Sequence, residues 1–149
     1  MPRKKILPPT YFIFFIILSI VIHFLFPLTE ILRFPWNLSG VIAVLSGTWL
    51  NLVADRAFKN AQTTVKPFEE SNRLITTGAF RISRNPMYLG MVSILIGVAL
   101  LLGSTTPFFI AFTFAVLTDI LFIRTEEQML KEKFGEEWLV YKSKVRRWL

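Results

Sequence analysis

Four long apolar blocks, Tyr11–Pro27, Leu38–Ala54, Met87–Gly103 and Pro107–Ile123, contain a single acidic residue between them, Asp119. Nearly all other charges of the 149-residue chain lie in the segments around them. Each block would make roughly 26 Å of helix, enough for a bilayer core with interfacial ends. A soluble domain has nothing to cover four such helices with, because they are apolar on every face. Hydrophobic residues make up 53% of the sequence and the mean hydropathy is +0.52, in keeping with a lipid environment. The expectation is an all-α membrane protein: a single domain over residues 1–149, with four transmembrane helices and an amphipathic C-terminal segment.

The basic residues orient these helices. Of the 17 Lys and Arg residues, all but Arg33 fall before block one, between blocks two and three, or after block four. The positive-inside rule therefore puts both termini in the cytoplasm, together with segments 55–86 and 124–149. Arg3, Lys4 and Lys5 precede the first block as in a signal peptide. Phe24-Leu-Phe-Pro-Leu28 offers no small-residue cleavage site, so the block is expected to be a retained helix. On the outer side, Gly103-Ser-Thr-Thr-Pro107 is a tight turn, and Trp36 is placed as an interfacial anchor. A site for a water-soluble ligand should face the cytosol. The net charge of +7 does not indicate nucleic acid, because the basic residues flank apolar spans instead of forming one patch.

With no cysteine and one histidine, His23, thiol chemistry is excluded and a His-rich metal centre is not expected. His23 reads as a packing or interfacial residue. Small residues at helical spacing, Ser39, Ala43 and Gly47 in block two and Ser93 and Gly97 in block three, are expected to let helix backbones approach closely. After block four, Leu130, Phe134, Trp138, Tyr141, Val145 and Trp148 recur every three or four residues, with an interruption at Gly135. This amphipathic stretch would lie on the membrane face or fold over the bundle, as an anchor or a lid.

Chemistry is expected where Arg81-Ile-Ser-Arg-Asn-Pro-Met-Tyr-Leu-Gly90 runs into block three. Asn85 suits an N-cap and Pro86 the first helical position, so a positive helix end flanked by Arg81 and Arg84 would meet the water boundary. Such an end receives carboxylates and phosphates. Blocks three and four, joined by the tight turn, must be antiparallel. That brings Asn85–Tyr88 opposite Glu126 and Glu127. A helix end with arginines facing a carboxylate pair suits a zwitterion, and S-adenosylmethionine has the matching carboxylate, ammonium, ribose hydroxyls and a sulfonium that aromatic faces such as that of Tyr88 attract. Asp119 is a further candidate, with pairing to Arg124 as its structural role. Asn51 and Asp55 would line the pocket or cap block two, and Thr63-Thr-Val-Lys-Pro-Phe68 reads as an extended crossing segment.

Thr76-Thr-Gly-Ala-Phe-Arg-Ile-Ser-Arg-Asn-Pro-Met-Tyr-Leu-Gly90, then Glu126-Glu127, then Phe134-Gly-Glu-Glu-Trp-Leu-Val-Tyr141 and Val145-Arg-Arg-Trp148, resembles the isoprenylcysteine carboxyl methyltransferase and phospholipid methyltransferase superfamily, in its short bacterial branch. The likeness covers residues 50–149. It implies an integral-membrane methyltransferase of the bacterial inner membrane, using S-adenosylmethionine on a lipophilic acceptor, with its active site on the cytoplasmic side. The family's Arg-(His/Asn)-Pro-x-Tyr-x-Gly motif and the carboxylate pair imply Arg84, Asn85, Pro86, Tyr88, Gly90, Glu126 and Glu127 as cofactor-binding residues. Arg84, which would orient an acceptor carboxylate, and Glu127, which would assist an amine, are the implied catalytic residues. Asn85 stands where carboxyl methyltransferases usually carry His, and an amide cannot shuttle a proton near neutral pH. The competing expectations are a nicotinamide-dependent membrane lipid reductase and a non-enzymatic membrane adaptor.

Overall fold

A computed structural model describes residues 7–62 and 73–149, and within them the chain is helical apart from turns and one isolated bridge between Glu30 and Ser104. Arg3, Lys4, Lys5, Lys66 and the Thr63–Phe68 segment lie outside the described residues. Helix α1 (Pro8–Leu25) starts at paired prolines, whose missing N–H groups suit a first turn. Helix α2 (Ser39–Asn60) follows a 3₁₀ turn at Trp36–Leu38. Helix α3 (Pro86–Leu102) follows a second 3₁₀ turn at Gly78–Arg81. Helix α4 (Thr106–Thr118) passes through a π-helical turn, Asp119–Ile123, into α5 (Arg124–Lys144). Three of these stretches, Pro8–Leu25, Trp36–Asn60 and Thr106–Lys144, contain windows long and apolar enough to cross a membrane, and α3 is a shorter apolar helix.

The boundaries depart from expectation by two or three residues at the ends of α1, which spans Pro8–Leu25 and not Tyr11–Pro27, and by more at two other places. Helix α2 runs on past Ala54 to Asn60, supported by an Asp55–Lys59 ion pair of 2.6 Å across one turn. The fourth apolar block ends at Ile123 but its helix does not, because the backbone continues into the polar α5 without a cap.

Helices α2 and α3 pack antiparallel with their backbones in contact. Gly40 faces Gly97 and Gly47 faces Gly90, and a Cβ on any of the four would strike the facing carbonyl or side chain. The spacing of seven within each helix keeps its two glycines on one face, so the two helices meet along a seam of bare backbone. Gly40, not Ser39, makes the outer contact. Ser39 is exposed, and Ser93 turns its hydroxyl back to Leu89 O of its own helix. Nothing in small-residue spacing distinguishes two adjacent positions, whereas helix phase does.

At the far end of α3, Gly103 adopts a left-handed conformation (φ 75°) that closes the helix, and its carbonyl accepts from the Ile31 and Leu32 amides. Thr105 N–H donates to Thr29 O, and His23 Nδ1 lies 2.7 Å from Ser104 Oγ. The α1–α2 loop is thereby tied to the α3–α4 turn, and His23 has the packing role expected of it.

At the other end α5 bends at Gly135 (φ 48°, ψ −117°), a region of backbone space open to glycine. The bend turns Trp138 and Tyr141 inward, where they are buried with Ala54 and Phe80, and Tyr141 Oη donates to Phe80 O at 2.7 Å. The amphipathic segment therefore folds over the bundle. Gly47→Ala is expected to lower stability by about 2 kcal/mol through overpacking, while Ser39→Ala stays within about 0.5 kcal/mol; thermal melting in detergent measures the difference.

Candidate active site

The residues expected to carry chemistry at the start of α3 form one side-chain cluster. Arg84, the second residue before Pro86, is turned inward with its side chain 7% exposed. Its Nε and Nη2 both donate to Glu127 Oε1, at 3.1 and 3.0 Å. Its Nη1 donates to Lys142 O and Val145 O, at 3.1 and 2.9 Å, capping the last turn of α5. The guanidinium also lies over the Trp138 ring, 5.7 Å from its centroid. One arginine thus joins the start of α3 to both ends of α5.

The residues after α5 cross the start of α3 as a strap. Arg84 N–H donates to Arg146 O, and Ser83 Oγ and Asn85 Nδ2 both donate to Arg147 O, at 3.1 and 3.2 Å. Asn85 therefore occupies the N-cap position without capping, since its side chain is drawn to the strap and no side chain caps the first turn of α3. Its backbone N–H is satisfied by Ser83 Oγ. Pro86 is fully buried at the first helical position, as expected.

Arg147 completes the cluster. It donates through Nη2 to Glu127 Oε2 at 2.8 Å, through Nε to Glu127 Oε1 at 3.2 Å, and through Nη1 to Asp119 Oδ1 at 3.1 Å. Asp119 Oδ2 accepts from Arg124 Nε at 2.9 Å. Five side chains thus alternate in charge: Arg84, Glu127, Arg147, Asp119, Arg124. Burial alone would raise the Glu127 carboxyl, but the hydrogen bonds from Arg147 and the charges of both arginines outweigh it and hold it below the ordinary carboxylate range.

The neighbouring Glu126 is in the opposite state. Burial pushes its carboxyl above the ordinary range, against the hydrogen bond it accepts from Tyr88 Oη at 2.6 Å. Its other oxygen has no partner among the described residues. The Tyr88 ring stacks on Phe122, 6.3 Å between centroids and 22° between planes, so an aromatic wall rises beside Glu126.

The structure thus gathers Arg84, Asn85, Pro86, Tyr88, Glu126 and Glu127. Gly90 faces Gly47 and Asn51 across the α2 seam, where helix packing accounts for its contacts. Asp55 is engaged with Lys59, and Arg81 is exposed. Arg147 enters the sequence reading only within the Val145-Arg-Arg-Trp148 stretch that carries the resemblance, with no role of its own. No local signal marks it, because its partners Asp119 and Glu127 lie 28 and 20 residues away and each has a nearer cation in the sequence, Arg124 and Lys131.

Residues 36–137 match the phospholipid methyltransferase family. The chain is 34% identical to protein-S-isoprenylcysteine O-methyltransferase of Saccharomyces cerevisiae over 143 residues, covering 89% of this chain and 58% of the yeast protein. It is 30% identical to protein-S-isoprenylcysteine O-methyltransferase A of Arabidopsis thaliana over 142 residues, 86% of this chain and 70% of the plant protein. An uncharacterized protein of Haemophilus influenzae is 40% identical over its whole length, which corresponds to 42% of this chain. The chain spans little more than half the length of the yeast relative. With most of its length matched, and with its motif residues gathered at one end of an apolar helical bundle, the chain belongs to the phospholipid methyltransferase family.

Proposed function

We propose that this protein is an integral-membrane methyltransferase that uses S-adenosylmethionine to methylate a carboxylate or amine on a lipophilic, membrane-embedded acceptor. The observation that carries the proposal is Glu126: a half-buried carboxylate with one free oxygen, set between an aromatic stack and an uncapped helix N-terminus. The cofactor's groups fit this donor set. The free oxygen of Glu126 suits an ammonium or ribose hydroxyl, the first turn of α3 suits a carboxylate, and the Tyr88 and Phe122 rings suit a sulfonium.

When bound, S-adenosylmethionine supplies an electrophilic methyl group for in-line displacement. The residues of the chain then have to position, exclude water and manage one proton. Tyr88 holds Glu126 in place. Glu127, kept ionised by two guanidinium groups, fixes Arg84 and the strap that roofs the start of α3. Arg84 spends four hydrogen bonds on that task, so it acts by positioning. An amine acceptor would lose its proton to a carboxylate with a raised pKa, which points to Glu126 in preference to Glu127. The positive-inside distribution supports a site at the cytoplasmic face with both termini on that side, and the resemblance to the short bacterial branch of the family supports a bacterial inner membrane. The apolar bundle carries no soluble substrate domain among its described residues, which favours lateral access for the acceptor. Arg84 and Arg147, the arginines beside the start of α3, are already engaged by Glu127 and Asp119, so little basic charge remains there for the pyrophosphate of a nicotinamide cofactor.

Two substitutions separate binding from architecture. Glu126→Gln is expected to weaken S-adenosylmethionine at least about tenfold in titration calorimetry, the loss of one charged hydrogen bond, with melting little changed. Glu127→Gln strands two arginines and is expected to cost about 3–5 kcal/mol of stability. No binding to the folded wild-type protein would overturn the methyltransferase reading. In wild type, cofactor affinity is expected to rise with pH through the elevated Glu126 pKa and then level, because only the ionised carboxylate pairs with an ammonium. In Glu126→Gln that rise should be absent when calorimetry is repeated between pH 5 and 8.

A further inference from the structure

Beside the cluster, on the outer face of α4, lies a groove of about 420 Å³. Its apolar wall is a single helical stripe, Phe112, Ala115, Val116 and Ile120, and its far side is Trp148 of the strap. Phe112 is 69% exposed and Ile120 50%, so in a bilayer this wall meets acyl chains. The groove ends in charge, at Asp119, Arg124 and Arg147. That end sits where the apolar helix gives way to the polar α5, the depth of lipid headgroups.

The charges at this end do not cancel. In the alternating series of three arginines and two carboxylates, Arg84 and Arg147 share Glu127, while Arg147 and Arg124 share Asp119. One positive charge remains. Arg84 is buried and its donors are engaged, whereas Arg124 is 62% exposed and uses only its Nε. Both Arg124 terminal nitrogens are without a partner among the described residues, at the mouth of the groove.

We infer that this groove binds one anionic phospholipid of the cytoplasmic leaflet, its phosphodiester on the Arg124 guanidinium and one acyl chain along the Phe112–Ile120 stripe. Charge complementarity selects the monoanion. A zwitterionic headgroup would bring its own cation against Arg124 and Arg147, and Asp119 already has both oxygens occupied. Free phosphate lacks the chain that the apolar stripe would cover. The bound lipid is a component of the surrounding bilayer and not the methyl acceptor, and the inference rests on the membrane-spanning architecture, not on methyl transfer. Basic pockets beside transmembrane helices at the cytoplasmic interface are the setting in which acidic headgroups are held.

The test is native mass spectrometry and thermal melting of the delipidated, detergent-solubilised chain with dioleoyl phosphatidylglycerol, dioleoyl phosphatidylcholine or inorganic phosphate. Phosphatidylglycerol is expected to be retained at one per chain and to raise Tm at concentrations where the other two do neither. Arg124→Gln should weaken its retention roughly fivefold, the share of one basic residue at an anionic surface. Ala115→Trp, which fills the apolar part of the groove, should abolish retention. Equal retention of phosphatidylcholine, full competition by inorganic phosphate, or an undiminished response in Arg124→Gln would overturn the inference.

Discussion

The two-sided grip on Glu127 is the interaction on which the site-bearing half of the structure depends. A carboxylate this close to the hydrocarbon is costly to desolvate, and one arginine would not reliably offset that. Two guanidinium groups, reaching it with four hydrogen bonds, do. The grip is topological as well as electrostatic. Arg84 precedes α3, Glu127 opens α5 and Arg147 follows α5, so one buried cluster closes the chain around the start of α3. Trp138 and Tyr141 add an apolar lock beneath it, made possible by the bend at Gly135.

The grip requires the helices to arrive at matching depth, and the outer end sets that depth. Gly103 turns the chain sharply, and its carbonyl is bonded to the α1–α2 loop, which fixes where α3 ends and α4 begins. From there the two helices are unequal: Tyr88 lies about 21 Å along α3, whereas Glu126 lies about 30 Å along α4 and α5 at ideal rise. Their Cβ atoms nonetheless lean toward each other, because side chains tilt toward the N-terminus of their own helix and these helices are antiparallel. Tyr88 reaches toward the start of α3 while Glu126 reaches back toward α4. Two long side chains and a π-helical turn absorb the mismatch, and a 2.6 Å hydrogen bond results. A shorter pair at these positions would not meet.

Much of this was legible in the sequence because hydrophobic blocks, tight turns and charge asymmetry act locally. The four apolar blocks became helices, and the turn at Gly103 brought Tyr88 and Glu126 together as antiparallel packing requires. The break at Gly135 marked a bend. What escaped depended on phase and on competition among partners. Ser39 and Gly40 look equivalent as small residues, but one helical step of 100° puts only Gly40 on the α3 seam. Asn85 has the chemistry of a cap, yet the strap carbonyl of Arg147 wins its amide, since that carbonyl lies where the strap must cross. Arg147 itself was unreadable because its two partners are distant in sequence and each already had a nearer cation to suggest itself: Arg124 for Asp119, Lys131 for Glu127.

That substitution of partners also determines where the excess charge falls. Had Glu127 paired locally with Lys131, Arg84 would have been left as a buried cation at the start of α3, an environment already positive from the helix dipole. Drawing Arg147 into the cluster puts carboxylates between the arginines and gives the series an odd number of members, with a cation at each end. The inner end, Arg84, is neutralised by backbone carbonyls at the last turn of α5 as well as by Glu127. The outer end, Arg124, has only half of Asp119. The surplus positive charge is thus displaced from the candidate cofactor pocket to the lipid-facing surface, while Glu126, outside the series, keeps an uncommitted oxygen. One added arginine on the strap therefore does two things: it seals the architecture, and it leaves the unpaired charge on Arg124, away from the free oxygen of Glu126.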